Sequence, residues 1–198
     1  MSVTIYENLF DELLLEQCYA YSIDQYDLKS FHIENKIHWD QDLVNDSKSI
    51  YSHLMPTSCD LYPRISETIL EKTGQVASAI IFYYAMPQSH ICWHNDADYD
   101  SAISIYLNRN WSPNYGGLFL YKMDKKLHAV LPTINTAVLQ KDGVWHGTSA
   151  TTIDSPIRLS IQIFCKQKQD VHVQRFLIFS NKEKERERLP SPPPNLFK

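Results

Sequence analysis

Glycine is scarce in this chain, with only 5 in 198 residues, and proline reaches only 10, so low-complexity sequence does not dominate. The 4 cysteines, Cys18, Cys59, Cys92 and Cys165, are widely spread and contain no CxxC pair. In a chain of this length they make no disulfide framework, and free cysteines commonly serve as small buried residues. No charge of one sign prevails: 19 Lys and Arg against 23 Asp and Glu give a net charge of −4. That balance offers no basic footprint for phosphate backbones, so a nucleic-acid partner is not expected. A long hydrophobic run is also missing. Thr73 to Trp93 carries no Asp, Glu, Lys or Arg, yet its strongly apolar part, Val76 to Met86, falls short of the ~20 residues of a spanning helix. The opening residues, Met1 to Glu7, show no basic segment followed by an apolar one. The expectation is a soluble cytoplasmic protein with no membrane partner.

What is present suits an ordinary globular core: 43% of residues are hydrophobic and 12% aromatic. A chain of this size can bury such a core without staples. Apolar residues at Leu9, Leu13, Leu14 and Ala20 predict a helix over about 6–23, and a second is predicted from about Asp60 to Lys72, stopped at Thr73-Gly74. The polar, aromatic stretch 24–46 between them reads as loop. From Gln75 onward the period changes to short β-branched or aromatic runs at 76–85, 102–107, 118–122, 128–131, 136–140 and 157–165. Turn signals such as Asn114-Tyr115-Gly116-Gly117 separate them. This spacing predicts a sandwich or jelly-roll barrel. The expected organisation is one domain over 1–180, with a helical front at about 1–74 and a β core at about 75–167. A tail over 181–198 alternates Lys and Arg with Glu and then turns Pro-rich.

The chemistry-bearing residues lie in the strand-rich part. His94-Asn95-Asp96 follows the first long strand, and His146 lies 146 − 94 = 52 residues further on. In extended chain, residues i and i+2 point the same way, so His94 and Asp96 can reach one ion together. Two imidazoles and one carboxylate on one face of a metal are the donor set of non-haem iron(II) oxygenases. In a chain with 8 histidines, these residues alone fit three unrelated polar positions as well. Arg158 adds to the pattern. It opens the run Arg158-Leu159-Ser160-Ile161-Gln162-Ile163-Phe164, and period 2 sets Arg158 and Ser160 opposite Leu159, Ile161 and Ile163. An arginine at the start of a buried strand is costly unless it meets an anion. A guanidinium fork beside a hydroxyl suits a carboxylate held at two points, and the alternative is an internal salt bridge.

The segment from about Ile80 to Phe164 resembles the 2-oxoglutarate/iron(II)-dependent dioxygenase superfamily, in its prolyl-4-hydroxylase-like branch. The resemblance rests on Phe82-Tyr83-Tyr84-Ala85-Met86-Pro87 before the HxD, Ile105-Tyr106-Leu107-Asn108, Trp111 through Gly116-Gly117-Leu118, Trp145-His146-Gly147 and Arg158-Leu159-Ser160, in that order. Three positions depart from the family pattern. Pro87-Gln88-Ser89 replaces the usual glycine before the HxD, Leu118 replaces a polar residue, and Arg158 stands where animal collagen enzymes carry lysine. The resemblance implies a mainly β fold with flanking N-terminal helices: a double-stranded β-helix, jelly-roll and cupin-like, with the metal inside one end. It implies catalytic metal ligands His94, Asp96 and His146, with Fe(II), 2-oxoglutarate and O2 as the working set and ascorbate as a stimulant. Arg158, helped by Ser160 and Tyr84, is then expected to hold the far carboxylate of 2-oxoglutarate. The implied reaction is hydroxylation with release of succinate and CO2. The substrate is expected to be amino-acid-derived, either a prolyl residue of a peptide or protein or a free amino acid or other small metabolite.

Other residues invite weaker readings. Asp98 and Asp100 extend Asp96 into a DxDxD run, but Ser101 stands where a calcium loop needs glycine, so they read as loop carboxylates near the mouth. Trp93 and Trp145 each precede a ligand histidine and are expected to face away from the metal into core packing. His90 and His128 read as surface or supporting imidazoles. The loops at 24–46 and 96–100, with Tyr83, Trp111 and Tyr115, are expected to line a substrate groove. Oxidative nucleic-acid demethylases of this fold carry a second arginine six positions after the first, where this chain has Phe164. Halogenases lack the carboxylate ligand, and Asp96 is present. A cupin-like binding module without oxidative chemistry is the remaining alternative, against which the buried anion clamp at Arg158 speaks.

Overall fold

The computed structural model describes residues 2–27, 47–141 and 143–166, which all fall within one compact unit, 1–167. The tail at 181–198 and most of the 24–46 loop lie outside the described residues. Nine strands are described: β1 (Ser2–Tyr6), β2 (Lys48–Leu54), β3 (Ala77–His94), β4 (Ser101–Tyr106), β5 (Phe119–Met123), β6 (Lys126–Val130), β7 (Ala137–Lys141), β8 (His146–Thr148) and β9 (Arg158–Cys165). Two α-helices precede the core, α1 (Glu12–Asp27) and α2 (Leu61–Thr73). Helix α2 ends where the sequence predicts, because Gly74 takes the left-handed φ of 68° and its N–H bonds back to Leu70.

The helical front needs correction, since it contains two strands. Residues 2–6, whose last member had been placed in a helix, form β1 against β7. Strand β2 pairs with β3. Partners at least 27 residues away in sequence decide their conformation. Residues 24–27, expected in a loop, are the last turn of α1.

The strands form a curled antiparallel sheet in the order β1-β7-β4-β9-β3-β8-β5-β6, with β2 on the free side of β3. This arrangement is the jelly-roll expected. Strand β3 is the hinge of the whole. Residues 77–85 pair with β9, while Ile91 and His94 pair with β8 in the smaller sheet. Between these parts Gln88 takes φ 64°. A left-handed residue costs roughly 1–2 kcal/mol without glycine's freedom, and this is where the family pattern carries glycine. The apolar stretch that ends at Met86 lies in strand β3 from Ala77 onward. No helix among the described residues is long and apolar enough to cross a membrane.

Alternation sorts the larger sheet into two faces. Ile80, Phe82 and Tyr84 of β3, Ile103 and Ile105 of β4, Leu139 of β7, and Leu159, Ile161 and Ile163 of β9 pack outward. There they meet Leu14 and Cys18 of α1 and Ile65 and Ile69 of α2. The opposite face turns towards the smaller sheet and is more polar, with Ser104 Oγ donating to Gln162 Oε1 at 2.6 Å. Ile161 is fully buried on a strand paired on both sides. Ile161→Ala should cost about 2–5 kcal/mol, read as a lower urea midpoint with an unchanged slope.

Candidate metal centre

His94 ends β3, Asp96 lies two residues beyond it, and His146 opens β8. Cross-strand pairing of His94 with His146 sets the two imidazoles side by side, with ring centroids 4.1 Å apart. Asp96 Oδ1 is 3.8 Å from His94 Nε2, and Oδ2 is 3.5 Å from His146 Nε2. All three donor groups lie within 4.8 Å of one another. Donors at right angles around an ion with ~2.1 Å bonds sit ~3.0 Å apart, so small side-chain rotations bring these atoms to an ion.

Each imidazole is oriented the same way. His94 Nδ1 lies 2.8 Å from the Cys92 carbonyl and His146 Nδ1 lies 2.8 Å from that of Val144. A carbonyl only accepts, so each Nδ1 carries the proton and each Nε2 presents its lone pair to the cluster. Burial pushes His146 down to about 4, against the opposing pull of Asp96. Its ring is therefore neutral and ready to donate at physiological pH. Two imidazole nitrogens and one carboxylate are a donor set that suits a divalent cation.

Arg158 starts β9 on the inner face and is buried, 3% exposed. Its Nη1 donates to the Gly117 carbonyl at 2.6 Å, whereas its Nε is buried with no hydrogen-bond partner. No carboxylate pairs with it among the described residues, so the salt-bridge alternative lacks a counter-ion there. The nearest ring is Tyr106, whose centroid is 5.9 Å from the guanidinium carbon. The Tyr106 hydroxyl is itself buried without a partner, and burial pushes it up to about 12, so it remains a neutral donor. Burial also lowers the Arg158 pKa. A cation and a hydroxyl donor, both with unspent hydrogen-bonding capacity, form a place for an anion.

The surrounding chain is shaped to make that place. Asn108 accepts from Leu159 N–H at 2.7 Å and donates to the Ile157 carbonyl at 2.8 Å, clamping the backbone on both sides of Arg158. A Cβ on Gly117 would lie 3.3 Å from Arg158 Cδ and 3.0 Å from Thr151 Cγ2, so the second glycine of the hairpin keeps the guanidinium's berth. Phe119 stacks on His146 at 5.4 Å and shares a buried cluster with Tyr106, Val138 and Val144. One contiguous set of side chains thus reaches from the histidine to the arginine.

The structure corrects several expectations. Tyr84 does not face Arg158. It lies on the outer side of the sheet, and its hydroxyl donates to the Ser22 carbonyl at 2.9 Å. Tyr106, on β4, stands where Tyr84 was expected. Ser160 does share the inner face, paired with both Tyr83 and Tyr106. Trp93 and Trp145 turn away from the metal centre but not into a core: they are 37% and 48% exposed, with Lys122 Nζ 4.7 Å from the Trp93 ring. Trp111 is a buried brace of the hairpin, its Nε1 donating to the Gly116 carbonyl at 3.0 Å, and Tyr83 is buried too. Neither offers an open surface for a substrate. Asp98 and Asp100 are exposed loop carboxylates. Gln140, which sequence reasoning passed over, lies against both Asp96 and His146.

No family model and no curated protein matches the chain. Solved structures do. A prolyl-4-hydroxylase from Pseudomonas putida superposes with TM-score 0.64 at 15% identity, covering 84% of this chain and 93% of that one. A prolyl hydroxylase from Trichoplax adhaerens, in complex with a hypoxia inducible factor peptide fragment, gives 0.69 at 12% identity, covering 88% and 86%. The non-haem α-ketoglutarate-dependent carbocyclase SnoK of nogalamycin biosynthesis gives 0.61 at 13%, covering 87% and 85%.

The ligand cluster can be tested without any substrate. His94→Ala, Asp96→Ala and His146→Ala should each abolish tight Co(II) binding, followed by visible absorbance, while circular dichroism stays that of the parent. The chain has the fold of the 2-oxoglutarate- and iron(II)-dependent oxygenases, prolyl hydroxylases among them.

Proposed function

We propose that the protein is a 2-oxoglutarate- and Fe(II)-dependent dioxygenase that hydroxylates an amino-acid-derived substrate, in the first place a prolyl residue of a peptide or protein. The observation that carries this reading is the buried guanidinium of Arg158, with no counter-ion among the described residues, beside the orphan Tyr106 hydroxyl. Both lie in the same interior as the His94, Asp96 and His146 cluster. A plain metal-binding module has no use for such an anion seat, whereas a dicarboxylate reaching a metal at one end needs one at the other.

His94 and His146 would hold the cation through their Nε2 lone pairs and Asp96 through a carboxylate oxygen, leaving further positions open. Bound iron supplies the redox chemistry that activates O2 while 2-oxoglutarate is converted to succinate and CO2. The protein's own part is positional. Arg158 neutralises the far carboxylate, with Tyr106 donating a hydrogen bond from its neutral hydroxyl. Ser160 adds a hydroxyl on the same face. Phe119, Tyr106 and Val138 wall the space between with apolar surface, which keeps water from the reacting atoms.

Arg158→Ala should act mainly through the co-substrate. Losing a buried charged contact costs about 2–5 kcal/mol, expected as a Michaelis constant for 2-oxoglutarate raised at least tenfold with a smaller change in kcat. An unchanged constant would return Arg158 to a structural role.

The prolyl reading takes support from prolyl hydroxylases among the similar folds, one of them solved with a peptide. The carbocyclase of nogalamycin biosynthesis favours the second reading, a small-metabolite substrate. Enzyme with Fe(II), ascorbate and 2-oxoglutarate should be incubated under air with a proline-containing peptide panel and, separately, with free amino acids, scoring succinate and a mass gain of one oxygen. Oxidised peptide is the expected product. Oxidation confined to free metabolites would end the peptide reading, and no succinate under any condition would end the dioxygenase reading.

A further inference from the structure

Gln140 lies on β7, on the inner face with Val138, and is 3% exposed. Its Nε2 is 2.9 Å from Asp96 Oδ2 and 3.1 Å from His146 Nε2. The orientation of its amide is dictated by chemistry. The carboxylate only accepts, and His146 Nε2 presents a lone pair because Nδ1–H is spent on Val144. An amide oxygen turned towards either would meet electron density, so the NH2 group must face the ligands. Its two hydrogens then serve two acceptors, and Oε1 is left buried without a partner. A glutamine that only filled space between the sheets would have no reason to accept that orphaned oxygen.

We propose that Gln140 is the positioning residue of the metal centre: by donating to Asp96 Oδ2 it holds the carboxylate to a one-oxygen contact through Oδ1. This inference rests on the metal-site reading above. Oδ1 is the oxygen on the His94 side, 3.8 Å from His94 Nε2, and it takes no hydrogen bond from Gln140. A carboxylate with both oxygens free can take two positions on a metal. One tied at Oδ2 takes one, keeping the remaining positions for a chelating co-substrate and O2. The second amide hydrogen faces the single lone pair of His146 Nε2, which a bound ion would take over, so Asp96, on the loop after β3, is the ligand that Gln140 aligns. Partners of this kind typically change metal affinity ten- to a hundredfold when removed.

The test uses metal-stripped full-length protein and Co(II) as the probe. Gln140→Leu and Gln140→Met both remove the donor while keeping similar bulk, so one misfolded variant would not decide the matter. Visible titration should show Co(II) bound about ten- to a hundredfold more weakly than by the parent. Adding 2-oxoglutarate should shift the parent's Co(II) bands readily, but the variants' bands only at concentrations at least tenfold higher. A thermal melt of the stripped proteins supplies the structural control, and a packing role would move the melt alone. If folded variants bind Co(II) and 2-oxoglutarate as the parent does, the proposal is overturned and the dioxygenase reading stands. If the parent itself binds no Co(II), both fall together.

Discussion

The site depends on one strand belonging to two sheets. Residues 77–85 of β3 run beside β9, which carries Arg158, and residues 91–94 run beside β8, which carries His146. Continuity of a single backbone therefore links the anion seat in the larger sheet to the metal ligands in the smaller one. The turn between the parts is made at a left-handed Gln88 and irregular pairing rather than by a loop. A loop would leave His94 free to wander. An unbroken strand delivers it in register against His146, so the fold specifies both the separation and the facing of the two imidazoles.

The second constraint is electrostatic. The interior puts three acceptors from His94, Asp96 and His146 at one end and a guanidinium with a phenol at the other, with apolar side chains between. Neither end is internally neutral. A divalent cation satisfies the first, and an anion satisfies the second. Burial holds the His146 ring neutral at the first end and the Tyr106 hydroxyl protonated at the second across the physiological range. With a divalent cation at the first end, a molecule with carboxylates at both ends would meet the cation and the guanidinium together, which is why a dicarboxylate fits this interior better than two unrelated anions.

Much of this was legible in the sequence where chemistry and local pattern coincide. The HxD spacing, the distal His146 and the amphipathic run starting at Arg158 each combine a residue type with a period, and the structure sets them in one interior. The second helix was legible because Gly74 stops it. What escaped depends on long-range pairing. Strands β1 and β2 lie before the change of period at Gln75 and form because β7 and β3 offer them edges. The three-residue β8 is too short to show a period. Tyr84 was misplaced because Tyr83 and Tyr84 are adjacent, and one residue of register decides which tyrosine faces inward. Gln140 carried no motif at all. Its role comes from facing Asp96 across the sheet, 44 residues away in sequence.

The unequal faces of the larger sheet explain how such a costly interior is tolerated. A buried charge without a partner costs several kcal/mol, and the orphaned atoms of Tyr106 and Gln140 add to that. Burying one isoleucine or phenylalanine contributes roughly 1.5–3 kcal/mol. The outer face buries Ile80, Phe82, Ile103, Ile105, Ile161 and Ile163 under the two helices, all with essentially no exposure. Stability is thus concentrated on one side of the sheet, and the other side is free to hold groups chosen for chemistry. The N-terminal helices then contribute to the candidate site without touching it. They complete the apolar layer that offsets an unpaired arginine on the opposite face.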